Sequence, residues 1–354
     1  MSDPSDTFSA DYVTARARFR EAARGARFEL SSVSTGQRGP DGSELTIDVA
    51  LRGAESAARV LVISSGLHGI EGYFGSAVQC AWLEGGGRRS VADRRIVLIH
   101  ALNPYGFAWR RRVNEDNVDL NRSFMRRGHR YEGSADGYRE LNGLLNPERA
   151  PRLIEPFLLE ALPPLLKHGF RALKNAVAQG QYEFPRGLFY GGRGLSKTGQ
   201  LLREHLPGWL GRPEHVTQLD LHTGRGAYGS YALCVDLPSD SRRVSRLKGL
   251  FGEGAIESFD PSGVLYEIRG ALGPWLEELL PRVQYDCLLA EFGTYNAIKV
   301  LEAMRYENLA HYHAPSPRVS ERAKKKLFEA FCPRSPRWRK LVLERALRVI
   351  EQAT

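Results

Sequence analysis

The feature that most constrains the fold of this chain is a set of four short apolar segments, at residues 59–65, 95–101, 216–222 and 285–291 (RVLVISS, RIVLIHA, VTQLDLH and YDCLLAE). Short apolar runs of this kind are typical of strands that are buried on both faces of a sheet. Segments of helical periodicity lie among them, beginning with residues 10–24. Strands alternating with helices predict an α/β fold, with a central mixed or largely parallel β-sheet flanked by helices.

Polar residues capable of chemistry follow each of these segments. His68 comes shortly after the first, the Asn103 turn comes after the second, and His222 and Glu291 end the third and fourth. In open α/β sheets, ligands bind outside the carboxyl ends of the strands. The sequence therefore predicts that four separate segments deliver polar groups to one edge of the sheet.

The length and composition predict one large domain. A chain of 354 residues, 42% hydrophobic and 26% charged, is long enough to bury a substantial core and is not of the disordered type. We expect a single catalytic domain over residues 1–354. It should have an N-terminal helix, a helical insertion near residues 130–200 and a helical C-terminal extension.

Charge, hydropathy and cysteine spacing limit the classes of binding partner and the cellular compartment that the sequence predicts. The net charge is +9, but the basic residues are dispersed and accompany no nucleic-acid-binding motif, so we expect no nucleic-acid partner. No apolar stretch approaches the roughly 20 residues of a membrane span, and we expect no membrane partner. The four cysteines are far apart and form no C-x-x-C pair. With a polar N-terminus, this predicts a cytoplasmic protein without disulfides.

A metal site is predicted from His68 and Glu71, which are three residues apart on a glycine-rich turn, together with His222. Catalytic zinc takes three protein ligands of nitrogen and oxygen type and leaves one position for water. Either motif alone is more readily explained as structural: a capping glutamate and a solvated histidine in the first, a core histidine in the second. Their joint occurrence favours a zinc site.

Two further segments suggest how a substrate is held and attacked. Asn121 and Arg122 can clamp a carboxylate, because a guanidinium donates two parallel hydrogen bonds; an exposed charged loop is the alternative. Glu291 ends an apolar run, where a carboxylate is costly to bury without a partner or a task. Beside an activated water it can act as general base, and an ion-paired structural glutamate is the alternative.

The order of these motifs, H-G-x-E-G, N-P-x-G, D-L-N-R, D-x-H and E-F-G, resembles the zinc carboxypeptidase superfamily. The resemblance runs from about Phe8 to Tyr312. Within the superfamily, the chain is similar to a bacterial metallopeptidase-like branch distantly akin to succinylglutamate desuccinylase and aspartoacylase. The resemblance implies a carboxypeptidase-like fold and one Zn²⁺ ion as cofactor.

Residue roles follow from the resemblance, position by position. It implies zinc ligands at His68, Glu71 and His222, and Glu291 as general base. Asn121 and Arg122 would hold the substrate carboxylate. An arginine before D-L-N-R would polarise the scissile carbonyl, for which Arg112 is preferred and Arg111 is the alternative. Asp119 would orient His68, and Tyr266 is a candidate for the tyrosine that closes over the substrate in carboxypeptidases.

The predicted function is hydrolysis of an amide bond next to a free carboxylate. The substrate is a small peptide or, alternatively, an N-acyl amino acid that the same site deacylates. A non-catalytic protein that binds zinc or another ligand on this fold is the alternative from a different class. The sequence leaves the oligomeric state open.

Overall fold

The computed structural model describes residues 4–85, 93–152, 155–163, 166–167, 179–259 and 268–354. Within these ranges the strands form one eight-stranded mixed sheet, in the order β1-β2-β4-β3-β5-β8-β6-β7. The strands are β1 Glu29–Arg38, β2 Glu44–Arg52, β3 Arg59–Ser65, β4 Arg94–His100, β5 His215–Thr223, β6 Tyr231–Pro238, β7 Ile256–Phe259 and β8 Gln284–Phe292. The predicted α/β class and the central mixed sheet are confirmed.

The middle of the sheet is parallel. β3 pairs in parallel with both β4 and β5, and β5 pairs in parallel with β8. Antiparallel pairs flank this centre: β2 with β4, β1 with β2, and β6 with β8. The carboxyl ends of β3, β5 and β8 therefore lie next to each other at one edge, which is the edge predicted to carry the site.

Helices cover both faces of the sheet. In the described ranges they include α1 Tyr12–Gly25, α2 Gly72–Glu84, α3 Pro104–Ala108, α4 Tyr138–Leu145, α5 Lys197–Leu210, α6 Arg242–Phe251, α7 Leu272–Leu279, α8 Ala297–His313, α9 Pro317–Phe331 and α10 Pro336–Ala353. The helix predicted over residues 10–24 is α1. Within the described ranges, no helix combines the length and apolar character that crossing a bilayer requires.

The apolar run of β3 shows why the central strands are continuous rather than alternating. Leu61 and Ile63 enter a core with α1, α2 and α10, whereas Val60 and Val62 enter a second core with α5 and α7. Each fully buried aliphatic side chain of this size contributes about 1.5–3 kcal/mol. The two cores hold the sheet from both sides and fix the carboxyl ends of its strands.

The middle of the chain differs from a simple helical insertion. In its described part, α4 and residues 157–163 are helical, whereas residues 179–196 form an irregular segment with two isolated bridges through Gln181. Other residues of the predicted insertion, at 153–154, 164–165 and 168–178, lie outside the described ranges. The four cysteines are free and buried.

Candidate metal centre

His222 and Glu291 are brought together by strand register. They are the next-to-last residues of β5 and β8, and they lie directly opposite each other in the parallel pair. Residues aligned in register on neighbouring strands project from the same face of the sheet. The two side chains predicted from separate motifs therefore belong to one site.

His68 and Glu71 reach the same place through a tight turn after β3. Residues Gly69–Glu71 form one turn of 3₁₀-helix, and α2 follows directly. The turn is pinned by its backbone: the Gly69 amide donates to the Arg112 carbonyl at 3.0 Å, and the Ile70 amide donates to the Arg111 carbonyl at 2.8 Å. This close backbone packing explains the glycine at position 69.

The three predicted ligands form one buried cluster. Nδ1 of His68 lies 2.9 Å from Oε1 of Glu71, and Nδ1 of His222 lies 3.0 Å from Oε2 of Glu71. The two Nδ1 atoms are 3.3 Å apart. One ligand atom from each residue lies within 4.8 Å of the others, so the group could hold a metal ion. The backbone amide of Thr223 donates to Oε2 of Glu71 at 3.0 Å and orients the carboxylate.

Each histidine is backed by a second carboxylate through its outer nitrogen. Nε2 of His68 lies 3.1 Å from Oδ1 of Asp119, and Nε2 of His222 lies 2.6 Å from Oδ2 of Asp220. Metal-binding histidines usually have such partners, which orient the ring. Asp119 was among the predicted residues, whereas Asp220 was not. The D-x-H spacing was the available signal, because residues two apart on a strand share a face.

Of the two candidate arginines, Arg112 contacts the cluster. Its Nη1 donates to Oε1 of Glu71 at 3.0 Å and its Nε donates to Oδ2 of Asp119 at 3.1 Å. Arg111 is buried but points elsewhere, and its Nε donates to Glu307 of α8 at 3.0 Å. Arg111 thus ties the loop to α8, and Arg112 brings positive charge to the site.

Charges within the cluster act strongly on one another. Burial alone would raise the pKa of Glu71, but the charge of His68 and hydrogen bonds with both histidines hold this pKa well below its usual range. Burial likewise opposes ionisation of Asp119, yet the charges of Arg112 and His68 keep its pKa low. Both carboxylates are therefore anionic at neutral pH and present negative charge to a cation.

Asn121 and Arg122 are buried beside this cluster, on a 3₁₀ turn that Asp119 caps. The side-chain oxygen of Asn121 accepts from the Leu272 amide at 3.1 Å and so helps to start α7. Burial and the nearby charge of Arg112 lower the pKa of Arg122, while Asp119 acts in the opposite direction. An anion bound next to this buried guanidinium would stabilise its charged form.

Glu291 differs from the other acidic groups of the site. Its Oε2 is shielded from solvent and has no hydrogen-bond partner among the described residues. Burial, together with the negative charge of Glu71, raises the pKa of Glu291 against the opposing charge of His222. A carboxylate with a raised pKa and a free oxygen is suited to accept a proton.

Two other predicted residues have different outcomes. The Asn103 turn does not add a polar group to the cluster. The Asn103 side chain accepts a hydrogen bond from the Gly106 amide at 2.8 Å and thereby caps the N-terminus of α3, where backbone amides lack partners within the helix. Tyr266 lies outside the described residues.

The fold and the cluster together define the class: an α/β protein with a buried group of two histidines and one glutamate at the carboxyl ends of parallel strands. The chain belongs to the family described as "Protein of unknown function (DUF2817)", which matches residues 8–345. No curated protein matches the sequence significantly.

Several solved structures resemble the chain. A carboxypeptidase A from Helicoverpa armigera is 14% identical, with 89% of this chain and 73% of that chain covered and a TM-score of 0.49. The murein-tripeptide amidase MpaA from Escherichia coli O157 is 18% identical (83% and 92% covered, TM-score 0.36). A metallo-carboxypeptidase from Burkholderia cenocepacia is 14% identical (96% and 69% covered, TM-score 0.39). Two of these three structures are carboxypeptidases by name, which is the group that the order of the motifs resembles.

Proposed function

We propose that this protein is a zinc-dependent hydrolase that cleaves an amide bond next to a free carboxylate. The observation that carries the proposal is the buried cluster of His68, Glu71 and His222, with ligand atoms within 4.8 Å of one another and Glu291 in register beside it. A structural explanation accounts poorly for this arrangement, because a Glu291 oxygen is buried and no described residue gives it a hydrogen bond.

The donor set fits zinc. Two imidazole nitrogens and one carboxylate are typical ligands of catalytic zinc, and both histidines carry carboxylates on their outer nitrogens. A zinc ion bound there would supply Lewis acidity and lower the pKa of bound water from about 16 toward about 7. The identity of the ion is part of the proposal, since the same ligands accept other divalent metals.

Glu291 provides the base. Glu291 lies opposite His222 on the adjacent strand, and its Oε2 has no hydrogen-bond partner among the described residues, so it can take a proton from the attacking water and pass it to the leaving amine nitrogen. The carboxylate must be ionised to accept that proton. The raised pKa makes the Glu291 carboxylate a stronger base, and the proton that it takes up is the one passed to the leaving nitrogen.

The two arginines interact with different negative charges of the substrate. Arg112 lies against Glu71 and is placed to stabilise charge that develops on the scissile carbonyl oxygen. Arg122, beside Asn121, binds the free carboxylate that defines the substrate class. Asp119 holds both Arg112 and His68 in position, which links the two halves of the site.

Two kinds of substrate present this carboxylate: a peptide with a free C-terminus, and an N-acyl amino acid. A panel of blocked dipeptides and N-acyl amino acids of matched side chains separates them. Turnover confined to the dipeptides establishes a carboxypeptidase, whereas turnover confined to the acyl amino acids establishes a deacylase. Amides of the same compounds, which lack the carboxylate, should be poor substrates in either case.

The variant Glu291→Gln tests catalysis against the non-catalytic alternative. We expect turnover to fall by about 10²–10⁴-fold while zinc content stays at the wild-type level, because the residue is a base rather than a ligand. Glu302→Gln, on α8 and paired with Lys326, is the matched control and should keep full activity. A zinc-loaded wild type without turnover on any substrate of the panel, but with measurable ligand binding that Glu291→Gln retains, would favour the binding-protein alternative.

A further inference from the structure

Four buried side chains form a hydrogen-bonded chain that ends on His222: Tyr285, Gln218, Ser64 and Asp220, together called the relay. We propose that the relay is a positioning device that fixes which nitrogen of His222 is free to bind the metal. This inference rests on the proposed function, because it takes His222 to be a metal ligand. It deepens that function by adding residues of the relay that support metal binding through His222.

Strand register places the relay on one face of the sheet. Gln218, Asp220 and His222 alternate along β5 and therefore share a face. Ser64 of β3 is opposite Asp220, and Tyr285 of β8 is opposite Val216, which is on that same face. From Gln218 to His222 the strand advances by about 13 Å, so the relay reaches well away from the metal cluster.

The contacts are short and sequestered from water. The Tyr285 hydroxyl is 2.5 Å from Oε1 of Gln218, Nε2 of Gln218 is 2.7 Å from Oγ of Ser64, and Oγ of Ser64 is 2.6 Å from Oδ1 of Asp220. All four residues of the relay and His222 are buried. A buried polar chain of this kind is costly when any member loses its partner, so its geometry is strongly determined.

The direction of the hydrogen bonds is fixed by counting protons. Ser64 has one hydroxyl proton, which it donates to the carboxylate of Asp220, so it must accept from the amide nitrogen of Gln218. The amide oxygen of Gln218 then faces Tyr285 and accepts from its hydroxyl. Both carboxylate oxygens of Asp220 are acceptors, and the second one requires a proton on Nε2 of His222.

That requirement determines the metal-binding atom. A neutral imidazole with its proton on Nε2 has its lone pair on Nδ1, and Nδ1 is the atom of His222 that faces Glu71 and His68. Among the described residues, no arginine or lysine contacts Asp220. The hydrogen bond that Ser64 donates therefore orients the Asp220 carboxylate, so that its other oxygen accepts from Nε2 of His222.

His68, the other histidine of the cluster, has no comparable chain of hydrogen bonds among the described residues. Nε2 of His68 lies 3.1 Å from a carboxylate oxygen of Asp119, but also 2.8 Å from Nη2 of Arg112. An acceptor and a donor therefore compete for the same ring nitrogen. Only His222 has an environment that dictates one tautomer, which makes it the fixed ligand of the pair.

The relay is tested by the affinity for Zn²⁺, measured by chelator competition on Asp220→Asn, Ser64→Ala and Tyr285→Phe. We expect Asp220→Asn to weaken zinc binding by about 10–100-fold, the usual effect of losing a carboxylate behind a metal-binding histidine. Ser64→Ala should cause a smaller loss and Tyr285→Phe the smallest, because Ser64 lies one hydrogen bond beyond Asp220 and Tyr285 lies three beyond it. Ser76→Ala, a buried serine that bonds His100 instead, is the matched control and should bind zinc like the wild type.

Nitrogen-15 NMR of histidine-labelled, zinc-loaded protein gives a readout that a purely structural role would not change. The proposal predicts a proton on Nε2 of His222 in the wild type, and a displaced signal of this N–H in both Asp220→Asn and Ser64→Ala but not in Ser76→Ala. Folded variants with wild-type zinc affinity and an unchanged His222 signal would overturn the relay alone. A wild type that takes up no zinc would overturn the proposed function and, with it, this proposal.

Discussion

Replacing Gly69 by alanine tests whether the turn that carries His68 and Glu71 depends on close backbone packing. A Cβ at position 69 would lie 2.1 Å from the carbonyl carbon and 2.3 Å from the Cα of Gly106, and 2.4 Å from the Phe107 amide nitrogen. All three neighbours are backbone atoms within α3, so no side chain can rotate away. The turn or α3 has to move.

The size of that movement follows from the contact. Going from 2.1 Å to an ordinary contact at 3.4 Å requires a displacement of about 1.3 Å. Metal sites tolerate errors of only about 0.2 Å in ligand distances, and overpacking of this kind typically costs about 1–3 kcal/mol. We expect Gly69→Ala to lower the free energy of unfolding by that amount and to weaken zinc binding by at least tenfold, in the range seen when ligand support is lost.

Urea unfolding of the metal-depleted protein measures the first quantity, and chelator competition measures the second. Gly208→Ala is the matched control: Gly208 lies in α5 with no atom within 4 Å of the added carbon. This control should stabilise the protein by about 0.5–1 kcal/mol and leave zinc affinity unchanged. Wild-type stability and zinc affinity in Gly69→Ala would refute the reasoning.

Three further predictions use the same structure. Arg122→Ala should raise KM for carboxylate-bearing substrates by roughly thirtyfold, the loss of about 2 kcal/mol for a charged hydrogen bond, with little change in kcat; an equal loss on the uncharged amide analogues would contradict its role. Asp119→Asn should weaken zinc binding by about 10–100-fold, which chelator competition measures; an unchanged affinity would argue against its support of His68. His100 is buried, and burial lowers its pKa from 6.5 to about 4, so the unfolded chain binds a proton over this range that the folded chain does not. Its contribution to stability is complete above pH 6.5 and should decline by about 3 kcal/mol as the pH falls to 4; urea unfolding of His100→Gln should show a correspondingly weaker pH dependence, and an identical dependence would contradict the assignment.

The sequence predicted the central strands well because each is buried on both faces. The segments 59–65, 216–222 and 285–291 correspond to β3, β5 and β8, with ends shifted by no more than one residue. The edge strand β1 was missed. Its residues are mostly polar and half-exposed, so it has no apolar run, and its pairing with β2 is a long-range property that local composition does not encode.

The grouping of His68, Glu71 and His222 was predictable because these residues end a central strand or closely follow one, and the sequence locates those strands. Asp220 was missed although its spacing two residues before His222 was a usable signal, because a shared strand face alone does not show that the carboxylate bonds the histidine ring. The choice between Arg111 and Arg112 also needed the structure, because only the packing of α8 shows that Glu307 pairs with Arg111. Tertiary contacts of this kind are set by loop geometry rather than by neighbours in sequence.

Elemental metal analysis of protein purified without added metal, beside His68→Ala and His222→Ala, tests the central claim most directly. We predict about one zinc per wild-type chain, lost in both variants while each remains folded by circular dichroism. A wild type that contains no metal and binds no added zinc would contradict the account.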